Sequence, residues 1–323
     1  MAWSGGAGMA SNPHRRNGPS SWDVRLSKYN PLPRILCFDD FDEGMNGWCE
    51  LVGNHTGDLD QIRPIAKDFR PPQLSSCTFF DIGTHGSVDG TYSLKLATRP
   101  RPNHLAIAIK RMTYAARGLV QFETYVTFKS ELIPEGAPSP AWDESGRWDG
   151  NAAPSERHFG EFTFSNDICV GETGPRCHGV VRYRNADPDG NLVQKWMYPT
   201  TAEPTTKMER QGLVANEPRQ DFFAVSPKDW REIPGGRQPL CFNETASKVN
   251  WHYVRWLFDL QSLRTMEFQC NDLCMDLRDV AVPMHNEEYR GIPNLLNLYV
   301  AVRTHVSVRN FLYLDSALVS VDW

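Results

Sequence analysis

The stretch that most constrains this chain is Trp251 to Leu277, WHYVRWLFDLQSLRTMEFQCNDLCMDL. Trp251, Tyr253, Arg255 and Leu257 alternate with His252, Val254, Trp256 and Phe258, which is the two-residue period of a strand. A turn is expected over Asp259 to Arg264. Then Met266, Phe268 and Cys270 alternate with Thr265, Glu267 and Gln269, so the chain should return antiparallel to itself as a long hairpin. One hairpin cannot bury its own apolar face, so a second layer has to come from elsewhere in the chain.

The rest of the sequence supplies it. Gly118 to Lys129, GLVQFETYVTFK, sets Val120, Phe122, Thr124, Val126 and Phe128 against Gln121, Glu123, Tyr125, Thr127 and Lys129. Similar alternation predicts strands at Arg34 to Phe38, Ser76 to Ile82, Thr91 to Ala97, His104 to Ile109, Arg157 to Ser165, Gly179 to Arg184, Leu192 to Tyr198, Leu295 to Arg303 and Phe311 to Val321. Two stretches read as long irregular insertions: Glu131 to Ser155, with Trp142 and Trp148, and Pro199 to Lys248. Amphipathic helices and internal repeats are absent from the pattern. The expectation is an all-β fold, an antiparallel two-sheet jelly-roll sandwich with long loop insertions over residues 34–323. Residues 1–33, rich in Gly, Ser, Pro and Arg, read as a flexible tail docking at most through Trp22 and Tyr29.

Composition narrows function mainly by exclusion. A net charge of -5 offers no broad basic field for nucleic acid, and no apolar run approaches the length of a membrane span. The opening residues lack the apolar segment of a signal peptide, so a cytoplasmic protein is expected. Its eight cysteines form no CxxC pair and its nine histidines no HxH or HExxH spacing, which disfavours zinc or iron.

FDDFDEGMNGW (Phe38 to Trp48) with DGTYSLKL (Asp89 to Leu96) resembles the opening of many carbohydrate-binding and carbohydrate-active sandwiches. WHYVRWLFDL with EFQCNDLCMDL resembles a laminin G-like hairpin, and FLYLDSALVSV (Phe311 to Val321) its closing strand. Together they resemble the concanavalin A-like lectin/glucanase superfamily of jelly rolls, including its bacterial and fungal members. The ExDxE-type pairing of the family's glucanases is missing. In such sandwiches an acidic residue after the first strand meets one in the last, which makes Asp42 and Asp315 candidate ligands of a structural calcium, against ordinary turn capping.

The resemblance also implies a concave sheet face, onto which the polar phase of each strand should point. Glu123 and Glu161 are the mid-strand carboxylates of that phase, with His158 and His178 as candidate bases. Either the two glutamates serve as acid and base across a sugar, or they form cross-strand ion pairs that keep a sheet soluble. Around them Tyr125, Arg157, Arg182, Arg184, Lys195, Trp196, Arg255, Asn297, Tyr299 and Arg303 offer bidentate donors and stacking surfaces for a carbohydrate or glycoside ligand. Three functions stay open at this point. One is a hydrolase or lyase acting on a sugar in the concave face, the second a non-catalytic carbohydrate-binding module, and the third a structural sandwich that forms homo-oligomers.

Overall fold

The computed structural model describes residues 24–50, 71–76, 86–114, 117–133, 153–169, 171, 176–204, 225–245, 248–280, 284–286 and 294–323. Within them the chain forms two eight-stranded sheets in which every neighbouring pair is antiparallel. Sheet A runs in the order β15 (Leu273–Asp276), β14 (Arg264–Cys270), β13 (His252–Asp259), β6 (Leu119–Ser130), β18 (Asn310–Val321), β4 (Tyr92–Ala97) and β3 (Gln73–Ser76). β1 (Arg34–Asp39) also pairs with β18. Sheet B runs β12 (Val225–Arg237), β11 (Leu192–Pro204), β10 (Arg176–Ala186), β9 (Glu161–Cys169), β17 (Leu295–Arg303), β5 (Leu105–Lys110) and β2 (Trp48–Glu50), with β16 (Met284–Asn286) joined to β10. β7 (Leu132–Ile133) and β8 (Ala153–Pro154) form a separate two-stranded ladder.

The expected two-sheet sandwich is thus present, and the hairpin of β13 and β14 lies towards one edge of sheet A, its outer flank closed by β15. Its apolar phase faces inward. Val254, Trp256 and Phe258 join Val120, Phe122, Val126 and Phe128 of β6 and Leu312 and Leu314 of β18 on one side of the core. Phe162, Phe164, Tyr183, Trp196, Val300 and Val302 come from sheet B. Aromatic rings bridge the two layers, with centroids 6.3 Å apart for Phe122 and Phe164, 5.5 Å for Phe128 and Phe162, and 4.7 Å for Trp196 and Phe268. Each fully buried ring contributes on the order of 2 kcal/mol through removal of apolar surface from water. Replacing Phe162, at the centre of this aromatic lattice, with Ala would open the largest kind of cavity such a core can hold.

Two expectations change. Pro199 to Lys248 is not irregular throughout: β11 extends to Pro204, and β12 adds a further strand from Val225 to Arg237. Proline and glycine at Pro199, Pro204, Pro227, Pro234 and Gly235 hide these strands from any pattern reading; the first two fall beyond Met197, where the ladder of β11 with β10 ends, and the others are tolerated because β12 is an edge with a break in register. The N-terminal tail also gives way to structure before residue 34. Val24–Leu26 form a 3-10 turn, and Leu26 and Tyr29 are buried against Leu318. Trp22, Trp142 and Trp148 lie outside the described residues.

Candidate functional site

The alternation that builds the core also gives the sandwich two outer faces, and the anticipated site residues divide between them. On sheet A, Gln121, Glu123 and Tyr125 of β6 and Tyr253 and Arg255 of β13 point away from the core, between inward neighbours such as Phe122, Val254 and Trp256. On sheet B, Glu161 of β9, Arg182 and Arg184 of β10, Lys195 of β11 and Asn297, Tyr299 and Arg303 of β17 do the same. Glu123 and Glu161 therefore do not share a face. The thickness of two packed sheets, about 10 Å between backbones, separates them, and their side chains point in opposite directions. They cannot act as acid and base across one bond.

Glu123 is a structural anchor. It is fully buried, and accepts hydrogen bonds from the Asn30 backbone N–H at 3.0 Å, from Gln121 Nε2 at 2.8 Å and from the Tyr253 hydroxyl at 2.6 Å. Burial first, and the Glu123 charge second, push the Tyr253 hydroxyl far above its usual range, so it remains a donor. The segment from Val24 to Pro33 crosses this face as a strap. Gln121 Nε2 returns a bond to the Asn30 carbonyl at 2.8 Å, Leu32 N–H donates to Ser320 Oγ at 3.0 Å, and the Tyr29 hydroxyl donates to the Ser316 carbonyl. Tyr125 packs between Tyr29 and Tyr253, with ring centroids 6.0 and 5.5 Å away, under the ammonium of Lys28. Arg255 is held by Glu267. The Arg255 Nε is buried without a hydrogen-bond partner, but its charge is compensated by Glu267.

Asp42 and Asp315 do converge, but on a loop. Asp42 Oδ1 accepts the N–H groups of Thr91 and Tyr92 at 2.7 and 2.8 Å, while Asp315 Oδ2 accepts those of Val88 and Asp89 at 2.6 and 3.3 Å. Gly90, at φ +84°, permits the turn, since a Cβ there would overlap the Asp42 carboxylate. Burial chiefly, against the hydrogen bonds from Val88, Asp89 and Ser316, raises the Asp315 carboxyl to about 6. Two carboxylates whose oxygens already serve backbone N–H groups do not fit calcium's need for six to eight oxygens. Among the described residues no three His, Cys, Asp or Glu side chains come together as a metal site.

Sheet B presents a different face. Strand register lines up Arg303, Glu161, Arg184, Lys195 and Arg237 as directly opposed residues on β17, β9, β10, β11 and β12. Glu161, 4% exposed, lies at the centre of a cluster of nitrogen donors: Arg182 Nη1 is 3.1 Å from its Oε2, His305 Nε2 3.3 Å from the same oxygen, and Arg303 Nε 3.6 Å from Oε1. These are ion pairs rather than well-aligned hydrogen bonds, since Oε2, the Arg182 and Arg303 Nε atoms and His305 Nε2 lack a partner of hydrogen-bond geometry. Burial would raise the Glu161 carboxyl, but the His305 contact and the charges of Arg182 and Arg303 outweigh it and hold the group at about 2. Gly160 makes the cluster possible: a Cβ there would stand 2.5 Å from the Arg303 carbonyl and 2.8 Å from the His305 ring. Arg182, brought down to about 10 by burial against the pull of Glu161, stays charged at neutral pH and lies flat on the Trp230 ring, its Cζ 3.7 Å from the centroid.

Farther along the same face, His178, Asp167 and Asn297 form a second row across β10, β9 and β17. Asn297 Nδ2 lies 3.5 Å and His178 Nε2 3.8 Å from the Asp167 carboxylate, and all three are buried. Tyr299 sits half-buried one row nearer the arginines, opposite Ser165. Six residues of strand separate Asp167 from Glu161, roughly 20 Å, well beyond the spacing of a glycosidase carboxylate pair. The open part of the face is the arginine end, where Arg303 is 41% and Lys195 37% exposed in their side chains and Arg237 is exposed.

Three anticipated residues lie elsewhere. Trp196 is fully buried on the inner face, where its indole N–H donates to Gln238 Oε1 at 2.8 Å; it follows Lys195 directly, and consecutive strand residues cannot point the same way. Arg157 donates to the Gly190 carbonyl at 3.0 Å and braces the Asp187–Gly190 turn. His158 ends a 3-10 turn with its Nδ1 buried and without a partner, and burial lowers its basicity. Sequence reasoning missed Trp230, His305 and Asp167. Asp167 was readable, as it continues the Glu161 phase; Trp230 lay in the stretch taken as irregular, and His305 follows the end of β17.

With this geometry in view, the chain matches, over residues 16–323, the family described as "Domain of unknown function (DUF6772)". The chain belongs to that family. No curated protein matches it. Among solved structures, this family member is similar to the potassium-bound carbohydrate recognition domain of Emp46p, at 9% identity over 86% of this chain and 97% of that one, with a TM-score of 0.28. It is also similar to Cip1, a cellulose induced protein (11% identity, 88% and 96% covered, TM-score 0.34), and to a legume lectin-like domain from Entamoeba histolytica (7%, 77% and 89%, 0.33). Lectin-type domains, the kind the sequence resembles, are thus among the similar structures. TM-scores this low carry no residue correspondence and no ligand to this chain.

Proposed function

We propose that this protein is a non-catalytic carbohydrate-binding sandwich whose ligand lies on the open end of the outer face of sheet B. The observation that carries this reading is the row of Arg303, Arg184, Lys195 and Arg237 beside half-buried Trp230, over which the Arg182 guanidinium is fixed. Sugars present paired hydroxyls and an apolar ring face, and fixed bidentate donors beside an aromatic plane match both. A side chain already immobilised loses little entropy when it binds. The hydrolase or lyase reading has less support, because Glu161 is held ionised, Asp167 on the same strand is roughly 20 Å away, and Glu232, three strands over, is paired to Lys195.

The test is a panel of oligosaccharides assayed by thermal shift and titration calorimetry on the full chain and on Trp230→Ala. A ligand at a hundred times its dissociation constant adds about 2.7 kcal/mol of apparent stability. Selective stabilisation that Trp230→Ala reduces supports the reading. Absence of any glycan effect, or turnover of a bound glycan, overturns it.

A further inference from the structure

We propose that the glycan is anionic and that Arg184 receives its charged group; this rests on the carbohydrate-binding reading above. The row Arg303, Glu161, Arg184, Lys195, Arg237 sets a single carboxylate among four cations on five adjacent strands. Glu161 is committed to Arg182, His305 and Arg303, and Lys195 is committed to Glu232 at 2.6 Å. Arg184 stands between these two pairs. Among the described residues it makes no ion pair or hydrogen bond, and its Nε is buried without a partner. Its charge reaches Asp187, but both oxygens of that carboxylate already accept bonds from Asn191, and one also takes the Asp189 N–H.

Like charges directly opposed across a ladder destabilise a sheet, and Arg184, Lys195 and Arg237 are three in succession. With Arg182 added, the open end of the face holds five cations against Glu161 and Glu232. A planar guanidinium with an empty buried donor, in a field of excess positive charge, is suited to a carboxylate or sulfate, which it can bind bidentately. A neutral sugar would leave that charge uncompensated. The chemistry recognised is therefore an anionic substituent on a sugar, either a uronate carboxylate or a sulfate ester.

The experiment titrates the full chain with a galacturonic acid tetramer, a sulfated galactose tetramer and the neutral galactose tetramer, at low and at high salt. The acidic tetramers should bind at least ~10-fold more tightly than the neutral one, since a charge-assisted hydrogen bond is worth about one to two decades of affinity. That preference should shrink at high salt. Whichever acidic tetramer binds more tightly distinguishes carboxylate from sulfate. Arg184→Gln should abolish the preference, and Arg184→Lys should restore part of it. Equal affinity for acidic and neutral tetramers, or a preference that survives Arg184→Gln, overturns the assignment of charge and leaves carbohydrate binding standing. Failure of all three tetramers to bind overturns both.

Discussion

The two outer faces of this sandwich are built from the same vocabulary of glutamate, arginine and tyrosine, yet they are in opposite states. On sheet A, Glu123 is fully satisfied by neutral donors, and the strap of residues 24–33 covers it. On sheet B, Glu161 is held by two arginines and a histidine, and a third arginine beside it is left over. The first face has traded its polar groups for a segment of its own chain. The second has kept excess positive charge that only something outside the described residues can balance. Composition alone does not mark a binding surface; what marks it is whether its polar groups are already used.

The largest expected effect is on Glu161. Glu161→Gln removes the one carboxylate that, among the described residues, pairs with buried Arg182, and should destabilise the fold by about 3–5 kcal/mol, as breaking a buried pair does, measured by urea denaturation at pH 7. The variant would then also loosen Arg182 on Trp230. A loss under about 1 kcal/mol would mean that the cluster is solvated and that the two faces differ little in how they hold their carboxylates.

The pH profile separates the faces next, because each contains one displaced buried carboxyl and the shifts have opposite sign. Glu161 falls from an ordinary 4.5 to about 2, so its stabilisation is complete above pH 4.5 and is lost as pH falls through 2. Asp315, on the strap side, rises from 3.8 to about 6, so its contribution is complete below pH 3.8 and is lost as pH rises through 6. Each is worth on the order of 3 kcal/mol. Stability should therefore increase as pH is lowered from 7 to about 4.5 and decline below that. Asp315→Asn should flatten the first limb and Glu161→Gln the second, read from unfolding midpoints across the range. A profile that both variants leave intact would refute the assignment.

How much of this was legible in the sequence follows from what a period of two encodes. It separates inward from outward within each strand, and the inward phases of β6, β9, β13, β17 and β18 all occupy the core as expected. It does not say which of two sheets a strand joins. Glu123 and Glu161 have the same phase in clean strands, and only long-range pairing, β6 with β13 and β18 but β9 with β10 and β17, sends them to opposite sides of the molecule. The same limit hid the strap, since a segment without periodicity can still be fixed by a single buried carboxylate and one tyrosine. Trp230 was lost for a local reason: β12 is an edge strand interrupted by Pro227, Pro234 and Gly235, which erase the pattern without preventing pairing.

Glu123→Gln should cost less than the Glu161 change, about 2 kcal/mol, because the amide keeps one acceptor but turns its NH2 towards the Asn30 or Gln121 donors. Its signature is local. Hydrogen exchange at the Asn30 and Leu32 amides should accelerate as the strap loosens, while acidic-glycan affinity on the far face stays constant. Parallel changes on both faces would show the sandwich transmitting strain between them.

The smallest expected effect concerns Arg184 in the ligand-free protein. Its neighbours oppose one another: Glu161 attracts it from β9, and Lys195 repels it from β11. With Glu161 already paired to Arg182 and Arg303 and in contact with His305, the two influences should nearly cancel, so Arg184→Gln should alter stability by no more than about 0.5 kcal/mol in either direction. An arginine whose loss costs the fold nothing is one the fold does not use. A destabilisation above about 1.5 kcal/mol would place Arg184 inside the Glu161 cluster as a third structural arginine. The outer face of sheet B would then be as self-satisfied as that of sheet A, and the charge excess would need another explanation.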